Sequence, residues 1–327
     1  MTADGERREG AKVLVTGATG FIGRALCDRL RLRGTPFIAP VRTAPERPAA
    51  APELRAVGDF AAVDWEPLLV GVRSVVHLAA RAHVMRESST DPETAYLLAN
   101  THVTHRLAKA AASAGVRRFI FASTIKVAGE ASPAGAPWRG DEPRRPRDLY
   151  AVSKAQAEAA VEECAVGHGM EAVVLRLPLT YGPGVRGNFL ALLDGVAKRR
   201  LMPFAAVENR RSLLFVGNAV SAIEAALDAP ALRGVFTLAD HDVVSTAELV
   251  SALAHALEVR SRILAVPLPM LRLAGLLTGR RRAVQRLLGS LEIDARRFRE
   301  AASWSPPYSM EAGLAATAAW YKARGNL

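Results

Sequence analysis

The sequence predicts the α/β class: a doubly wound parallel sheet followed by a smaller C-terminal α/β lobe. Three observations carry that expectation. Short apolar runs read as buried strands, stretches of helical spacing alternate with them, and a glycine-rich turn joins the first run to the first helical stretch. Strands that alternate with helices pair in parallel through right-handed crossovers, which puts helices on both faces of the sheet.

In chain order, residues 12–16 (KVLVT) form a short apolar run ended by Gly17, and residues 21–32 have helical spacing and stop before Gly34. Residues 37–41 (FIAPV) read as a second strand, and a loop with Pro45, Pro48 and Pro52 follows. Two more strands are expected at 74–78 (SVVHL) and 118–122 (RFIFA), separated by a helix over about 94–114. Residues 129–149 are rich in proline, glycine and charge and read as a surface loop. A helix over 150–168 and a strand at 171–176 (EAVVLR) come next. After Pro178 the pattern loosens into short helices and isolated strands at 235–238 and 262–266. This predicts a first domain over 11–177 and a lobe over 178–327, with some later elements returning to the first sheet.

Composition narrows the classes. The chain has 327 residues, enough for one large α/β domain and a smaller lobe. Half the residues are hydrophobic and 23% are charged, which excludes a disordered chain. The most apolar late stretch, 263–279, is interrupted by Pro267, Pro269 and Arg272, so no stable membrane insertion is expected. The polar start MTADGERREG lacks the apolar core of an export signal, and a cytoplasmic location is the expectation. Two cysteines, Cys27 and Cys164, support neither a disulfide framework nor a cysteine-based zinc site, and no metal is expected. The net charge of +11 comes from arginine, since only six of the 43 basic residues are lysine. The densest clusters, Arg144-Arg145-Pro146-Arg147 and Arg280-Arg281-Arg282, lack interleaved aromatics, so anionic small molecules are expected rather than nucleic acid. A basic amphipathic surface over 268–288 offers contact with a membrane or a partner; a packed helix pair is the plainer reading.

Two motifs carry chemistry. Gly17-Ala-Thr-Gly20-Phe21-Ile22-Gly23 follows the first strand and opens the first helix. Its spacing is GxxGxxG rather than GxGxxG, but the physics is shared. Glycines permit a tight turn and close approach of backbone to a pyrophosphate, and the helix N-terminus supplies free N–H groups. This makes the first domain a Rossmann-type NAD(P)-binding unit. The end of the second strand, Ala39 to Thr43, holds no carboxylate for a ribose hydroxyl. Arg42 there can meet a 2′-phosphate or stack on adenine, which favours NADP over NAD. Asp59 either accepts from the adenine amino group or caps a turn.

The second motif is Tyr150-Ala-Val-Ser-Lys154. Four residues apart on a helix, the two side chains share a face. A free phenol, with a pKa of about 10, is a poor acid or base near neutrality. A nearby ammonium stabilises the phenolate, so the tyrosine can exchange a proton with a hydroxyl or carbonyl. Upstream, the strand at 118–122 delivers Ser123-Thr124 to the carboxyl edge of the sheet, where open α/β sheets bind ligands.

With these pieces the chain resembles an extended short-chain dehydrogenase/reductase of the NAD-dependent epimerase/dehydratase group, which acts on nucleotide sugars. The resemblance also rests on His77-Leu78-Ala79-Ala80, Asn100, Leu175-Arg176-Leu177-Pro178 leading into Tyr181-Gly-Pro-Gly184, the run 210–216, and Trp304-Ser-Pro-Pro307. It implies Tyr150 as catalytic acid/base and Lys154 as its electrostatic partner and a ribose ligand. It implies Thr124, five residues before Gly129, as the catalytic hydroxyl, with Ser123 as the alternative. Leu78, Ala79 and Ala80 would run beside the cofactor, Pro178 would sit near the nicotinamide, and Asn100 would order the site and count among the cofactor residues. Ala128 stands where the family usually has a tyrosine, so one substrate contact is missing.

For the nucleotide-diphosphate sugar, the resemblance implies Asn188 and Arg211 on the diphosphate. Arg81, His83 and Arg86 follow the fourth strand and are placed to line the sugar pocket, His83 more as a satisfied loop histidine than as a proton carrier, and Lys126 either faces the substrate or is a surface lysine. The segments HLAARAHVM (77–85), TIKV (124–127) and NRRSL (209–213) are most similar to bacterial enzymes of surface-polysaccharide assembly. The expectation is a reductase acting at C4 of a UDP-4-keto-6-deoxy-N-acetylhexosamine. A 4-epimerase with bound NAD is the alternative, and a non-catalytic nucleotide-sensing protein the second alternative. A homodimer is the assembly left open.

Overall fold

The computed structural model describes residues 12–44, 51–82, 90–279 and 281–325, apart from the side chains of 281–283 and 286. The chain start, Pro45, Pro48, His83, Arg86 and Arg280 lie outside the described residues, as do the side chains of Arg281 and Arg282.

Apolar strands and the helices between them build the first layer structure. In order these are β1 (Lys12–Thr16), α1 (Phe21–Leu32), β2 (Phe37–Val41), β3 (Leu54–Ala56), β4 (Val72–His77), α2 (Pro92–Tyr96), α3 (Val103–Ser113), β5 (Arg118–Thr124), α4 (Leu149–Ala165) and β6 (Glu171–Leu177). The rest comprises β7 (Leu179–Tyr181), α5 (Gly187–Ala197), β8 (Arg211–Phe215), α6 (Val216–Asp228), β9 (Gly234–Thr237), β10 (Val243–Val244), α7 (Thr246–Leu257), α8 (Leu268–Leu277), α9 (Arg281–Leu288), α10 (Arg296–Ala301) and α11 (Met310–Lys322).

Seven strands form one parallel sheet in the order β3-β2-β1-β4-β5-β6-β9. This is the doubly wound Rossmann architecture. Leu26, Cys27 and Leu30 of α1 and Val220 and Ile223 of α6 cover one face. Leu107 and Ala111 of α3 and Val161 of α4 cover the other. Both faces are thus closed to water, which is why the strands read as continuous apolar runs rather than alternating ones. The strand order reverses beside β1, between β1 and β4, which opens the ligand crevice of such sheets.

The chain after Pro178 contributes to both lobes. β9 extends the first sheet by pairing with β6, while β7, β8 and β10 make a separate three-stranded sheet. The second core gathers Phe189 and Leu193 of α5, Leu213 of β8, Leu253 of α7 and Leu314 of α11. Phe21 and Ile22, at the start of α1, also pack against this core, so the glycine turn sits where the two lobes meet.

Two expectations need correction. No strand forms at 262–266; only Ile263 bridges Met202. Beyond Met202 the pairing continues only through one shifted bond, Ala205 N to Leu264 O, so no regular ladder builds. The helix expected over 94–114 starts earlier, because Asp91 caps it by accepting from Thr94 N at 3.1 Å. It is then interrupted by a π-helical turn, Leu97–His102.

Candidate active site

The glycine turn is shaped by what a side chain would strike. A Cβ on Gly23 would stand 2.0 Å from the Gly17 carbonyl oxygen. One on Gly17, whose φ is +72°, would stand 2.6 Å from Ala79 N. Gly17 therefore lets β1 and the chain leaving β4 converge, as well as making room for a ligand. Gly20 precedes α1 with no side-chain cap, which leaves first-turn N–H groups for an anion. The donors and the bare turn fit a dinucleotide pyrophosphate. Leu78 and Ala79 are half-buried and Ala80 exposed at the carboxyl end of β4, and Pro178 is buried just after β6. Arg42 is exposed at the end of β2. Asp59 is exposed and accepts from Ala61 N at 3.0 Å, so here it caps a turn.

A buried hydrogen-bond chain lies beneath that edge. Thr16 Oγ1 meets His77 Nδ1 at 2.6 Å, and His77 Nε2 meets Thr104 Oγ1 at 2.9 Å. Thr104 in turn donates to the Asn100 carbonyl. That direction makes Thr104 the acceptor from His77 Nε2–H and leaves Nδ1 to accept from Thr16. Burial, with a smaller contribution from Lys154, pushes the imidazole down to about 3, so it stays neutral. His77 is a spacer of one tautomer, not a proton carrier.

Asn100, expected to touch cofactor, is committed elsewhere. Its Oδ1 accepts from Arg81 N at 2.7 Å; its Nδ2 donates to Arg81 O at 3.1 Å and to Ser153 Oγ at 2.9 Å. The π-helical turn that carries it thereby pins the chain leaving β4 to α4. Such turns frequently mark functional sites.

On α4, Tyr150, Lys154 and Glu158 fall four residues apart on one face. Asp148 caps the helix, accepting from Ala151 N at 2.8 Å. Burial raises the Tyr150 pKa, and the carboxylate of Asp148 and the phenol of Tyr96 add to the rise. The depression expected from Lys154 is absent here, because the lysine is itself pushed down to about 7 by burial, partly opposed by Glu158. The Lys154 Nζ lies 3.8 Å from the centre of the Phe121 ring. Thr124 ends β5, buried, and accepts from Lys126 N at 3.3 Å.

Ser123, the alternative hydroxyl, belongs to a different cluster. It donates to Glu158 Oε1 at 2.6 Å. Arg176 grips the same carboxylate with two bonds, Nε to Oε1 at 3.0 Å and Nη2 to Oε2 at 2.8 Å. Arg144 adds a bond from Nε to Oε2 at 2.9 Å. Burial alone would raise the Glu158 pKa, but Arg176, Ser123 and Arg144 more than offset it, and the carboxyl stays below the usual range. Arg176 also donates to the carbonyls of Gly140 and Glu142, tying in the loop before α4.

The proposed substrate residues scatter. Lys126 pairs with Asp148 instead of standing open toward a pocket. Arg81 places its guanidinium 5.3 Å from the centre of the Tyr96 ring, and that ring lies 6.4 Å from the ring of Tyr150. Asn188 is exposed on the first turn of α5. Arg211 starts β8 and donates to the Gly289 carbonyl at 3.0 Å. Sequence reasoning missed Tyr96, Ser153 and Glu158. Only Glu158 left a signal, as the next residue on the face of Tyr150 and Lys154.

The family model described as "NAD dependent epimerase/dehydratase family" matches residues 13–238. A protein of Vibrio cholerae named UDP-glucose 4-epimerase is 39% identical over 318 residues, covering 96% of each chain. A Streptomyces griseus protein named dTDP-glucose 4,6-dehydratase is 30% identical over 94% of this chain and 93% of its own. The solved structure of MoeE5 in complex with UDP-glucuronic acid and NAD superposes with a TM-score of 0.75 at 26% identity, covering 96% of this chain and all of that one.

Proposed function

Because the chain belongs to the NAD dependent epimerase/dehydratase family, we propose that it oxidises and reduces C4 of the sugar in a nucleoside-diphosphate sugar. The observation that carries this reading is half-buried Tyr150 and buried Lys154 on one face of α4, a helix packed against the strand that ends in Thr124. A nicotinamide dinucleotide, when bound, supplies the hydride acceptor and donor. The glycine turn, Leu78 to Ala80, Pro178 and Lys154 are the residues that would hold it.

Tyr150 holds the proton that moves to or from O4. Its raised pKa keeps the phenol protonated until Lys154 as ammonium stabilises the phenolate. Thr124 offers a hydroxyl to the same oxygen. Asn188 and Arg211 are assigned to the diphosphate, for which a guanidinium fork suits two anionic oxygens.

The first reading is 4-epimerisation with retained NAD, supported by the Vibrio cholerae relative's name and its coverage of both chains. The second is reduction of a UDP-4-keto-6-deoxy-N-acetylhexosamine in surface-polysaccharide assembly. Arg42 favours it, since a cation without a carboxylate beside it tolerates NADPH and an exchanging cofactor. Dehydration at C6 has the Streptomyces griseus relative's name in its favour, but the site residues argue against it. It needs an acid/base carboxylate after the hydroxyl, and Thr124 is followed by buried Ile125 and by Lys126 paired to Asp148.

The test supplies purified protein with UDP-glucose or UDP-N-acetylglucosamine and follows the C4 stereochemistry by proton NMR. In parallel, a UDP-4-keto-6-deoxy sugar is mixed with NADH or NADPH and the nicotinamide absorbance is followed. Interconversion without added cofactor identifies the epimerase, and stoichiometric consumption of reduced cofactor identifies the reductase. Neither response would leave the inert nucleotide-sensing protein.

A further inference from the structure

The hairpin of α8 and α9 departs from every other part of the fold. Helix α8 is apolar along nearly its whole length, yet only Gly275 is buried. A Cβ on Gly275 would stand 2.7 Å from Val284 Cγ2, so the two helices touch at this small residue. Met270, Leu273, Leu276 and Leu277 are each more than half exposed. Relative to Leu273 they lie three before, three after and four after, which places them on one face. Contiguous apolar surface of this kind marks an interaction site.

The stretch of sequence that holds the hairpin carries charge of one sign. Between Glu258 and Glu292 the sequence contains seven arginines and no acidic residue or lysine. The short pairing of Met202 with Arg262 and Leu264 brings a second basic-apolar segment, Lys198-Arg199-Arg200-Leu201, beside the chain that leads into α8. All four of its residues are exposed, as are Arg262 and Leu264. Elsewhere several exposed arginines have carboxylate partners: Arg29 and Arg33 share Glu224, and Arg296 meets Asp294.

The hairpin is also firmly rooted. Asn209 donates to the carbonyls of Leu287 and Gly289, Thr246 donates to Leu287 O, and Leu291 pairs with β8 through Arg210 and Ser212. Its exposed face is therefore presented by a fixed base.

We infer that the α8–α9 hairpin docks this protein reversibly onto an anionic phospholipid surface. The apolar face of α8 enters the interface between headgroups and acyl chains, and exposed Arg272 and Arg262 meet lipid phosphates. Charge complementarity selects this occupant. A second copy would bring two acid-free, arginine-rich segments against each other, which repel. No described helix is long and apolar enough to cross a membrane, so the contact is peripheral. The inference is independent of which C4 reaction the active site performs.

The test is sedimentation of the full chain with vesicles of phosphatidylcholine alone and of an equimolar mixture with phosphatidylglycerol. Binding is expected only with phosphatidylglycerol and should weaken as salt rises. Leu277→Ser should loosen it roughly tenfold to a hundredfold, as expected for withdrawing one leucine from the interface. Arg272→Glu should loosen it by about the same order. Circular dichroism and thermal unfolding of each variant report that it is folded. Absence of binding to either vesicle overturns the inference. So does binding that Leu277→Ser leaves unchanged, or a dimer in analytical ultracentrifugation that Leu277→Ser dissociates, since a second copy would then cover the face.

Discussion

The face of α4 and the face of α8 treat charge and apolar surface in opposite ways. On α4, Lys154 and Glu158 are almost wholly buried, and Glu158 is held by Arg176, Arg144 and Ser123. On α8, leucines stand in solvent among arginines that have no acidic residue in their stretch of sequence. Burying a charge is costly unless it is paired and hydrogen-bonded, so the α4 cluster persists only as a complete set. Its benefit is position: Glu158 joins the helix of Tyr150 and Lys154 to β5, which ends in Thr124, and to β6, which leads to Pro178. Exposed leucines and arginines cost less and leave their surface ready for another one. One region turns paired charges inward, and the other leaves apolar side chains outward.

The strongest way to sharpen this contrast is to remove the proton alone. Tyr150→Phe should lower turnover by on the order of 10²–10⁴, with cofactor affinity nearly unchanged in a fluorescence titration. Near wild-type turnover would mean that the α4 face does not carry the chemistry.

Next comes the buried pair. Glu158→Ala leaves the Arg176 guanidinium buried without its carboxylate and should cost about 3–5 kcal/mol in denaturant unfolding. If the loss stays within ordinary surface values, the cluster does not organise the helix as described.

The third test uses pH. Folded Lys154 releases its proton near 7, whereas the unfolded chain keeps it to about 10.5. Between those values the unfolded state binds more protons, so the lysine's contribution to stability grows as pH rises and is lost as pH falls through about 7. The melting temperature of the wild type relative to Lys154→Met should therefore increase from pH 7 toward pH 10. A difference that is flat with pH would show that the folded lysine keeps an ordinary pKa.

The smallest effect belongs to the other face. Leu277→Ser, without vesicles, should change unfolding free energy by no more than about 0.5 kcal/mol, as for other exposed positions. A loss comparable to that of a core leucine would show that α8 is covered in solution and would erase the contrast.

The chemistry of the site was readable wherever it is written locally. The turn Gly17 to Gly23 must be glycine because backbone occupies the space of a side chain, and Tyr150 and Lys154 meet because a helix repeats every four residues. The strand series was readable because both faces of the first sheet are covered. The Arg176–Glu158 pair was not readable as a pair, since only the packing of α4 against β5 and β6 brings them together. Asn100 was legible as a site residue, but its role as a tie between Arg81 and Ser153 depends on a π-helical turn that the sequence pattern does not announce.

By itself, then, the sequence determined the class of sheet, the bare glycine turn after β1 and the shared helix face of Tyr150 and Lys154. Each follows from residues within a few positions of one another, where steric and helical geometry act directly. Tertiary structure alone decided that the Ser123 hydroxyl donates to Glu158 while Thr124 Oγ1 accepts from Lys126 N. It decided that Lys154 is buried, with its pKa pushed down toward neutrality, and that an apolar helix remains uncovered on the surface. Those outcomes depend on desolvation and on partners far apart in the chain, quantities set by packing and absent from any local stretch of residues.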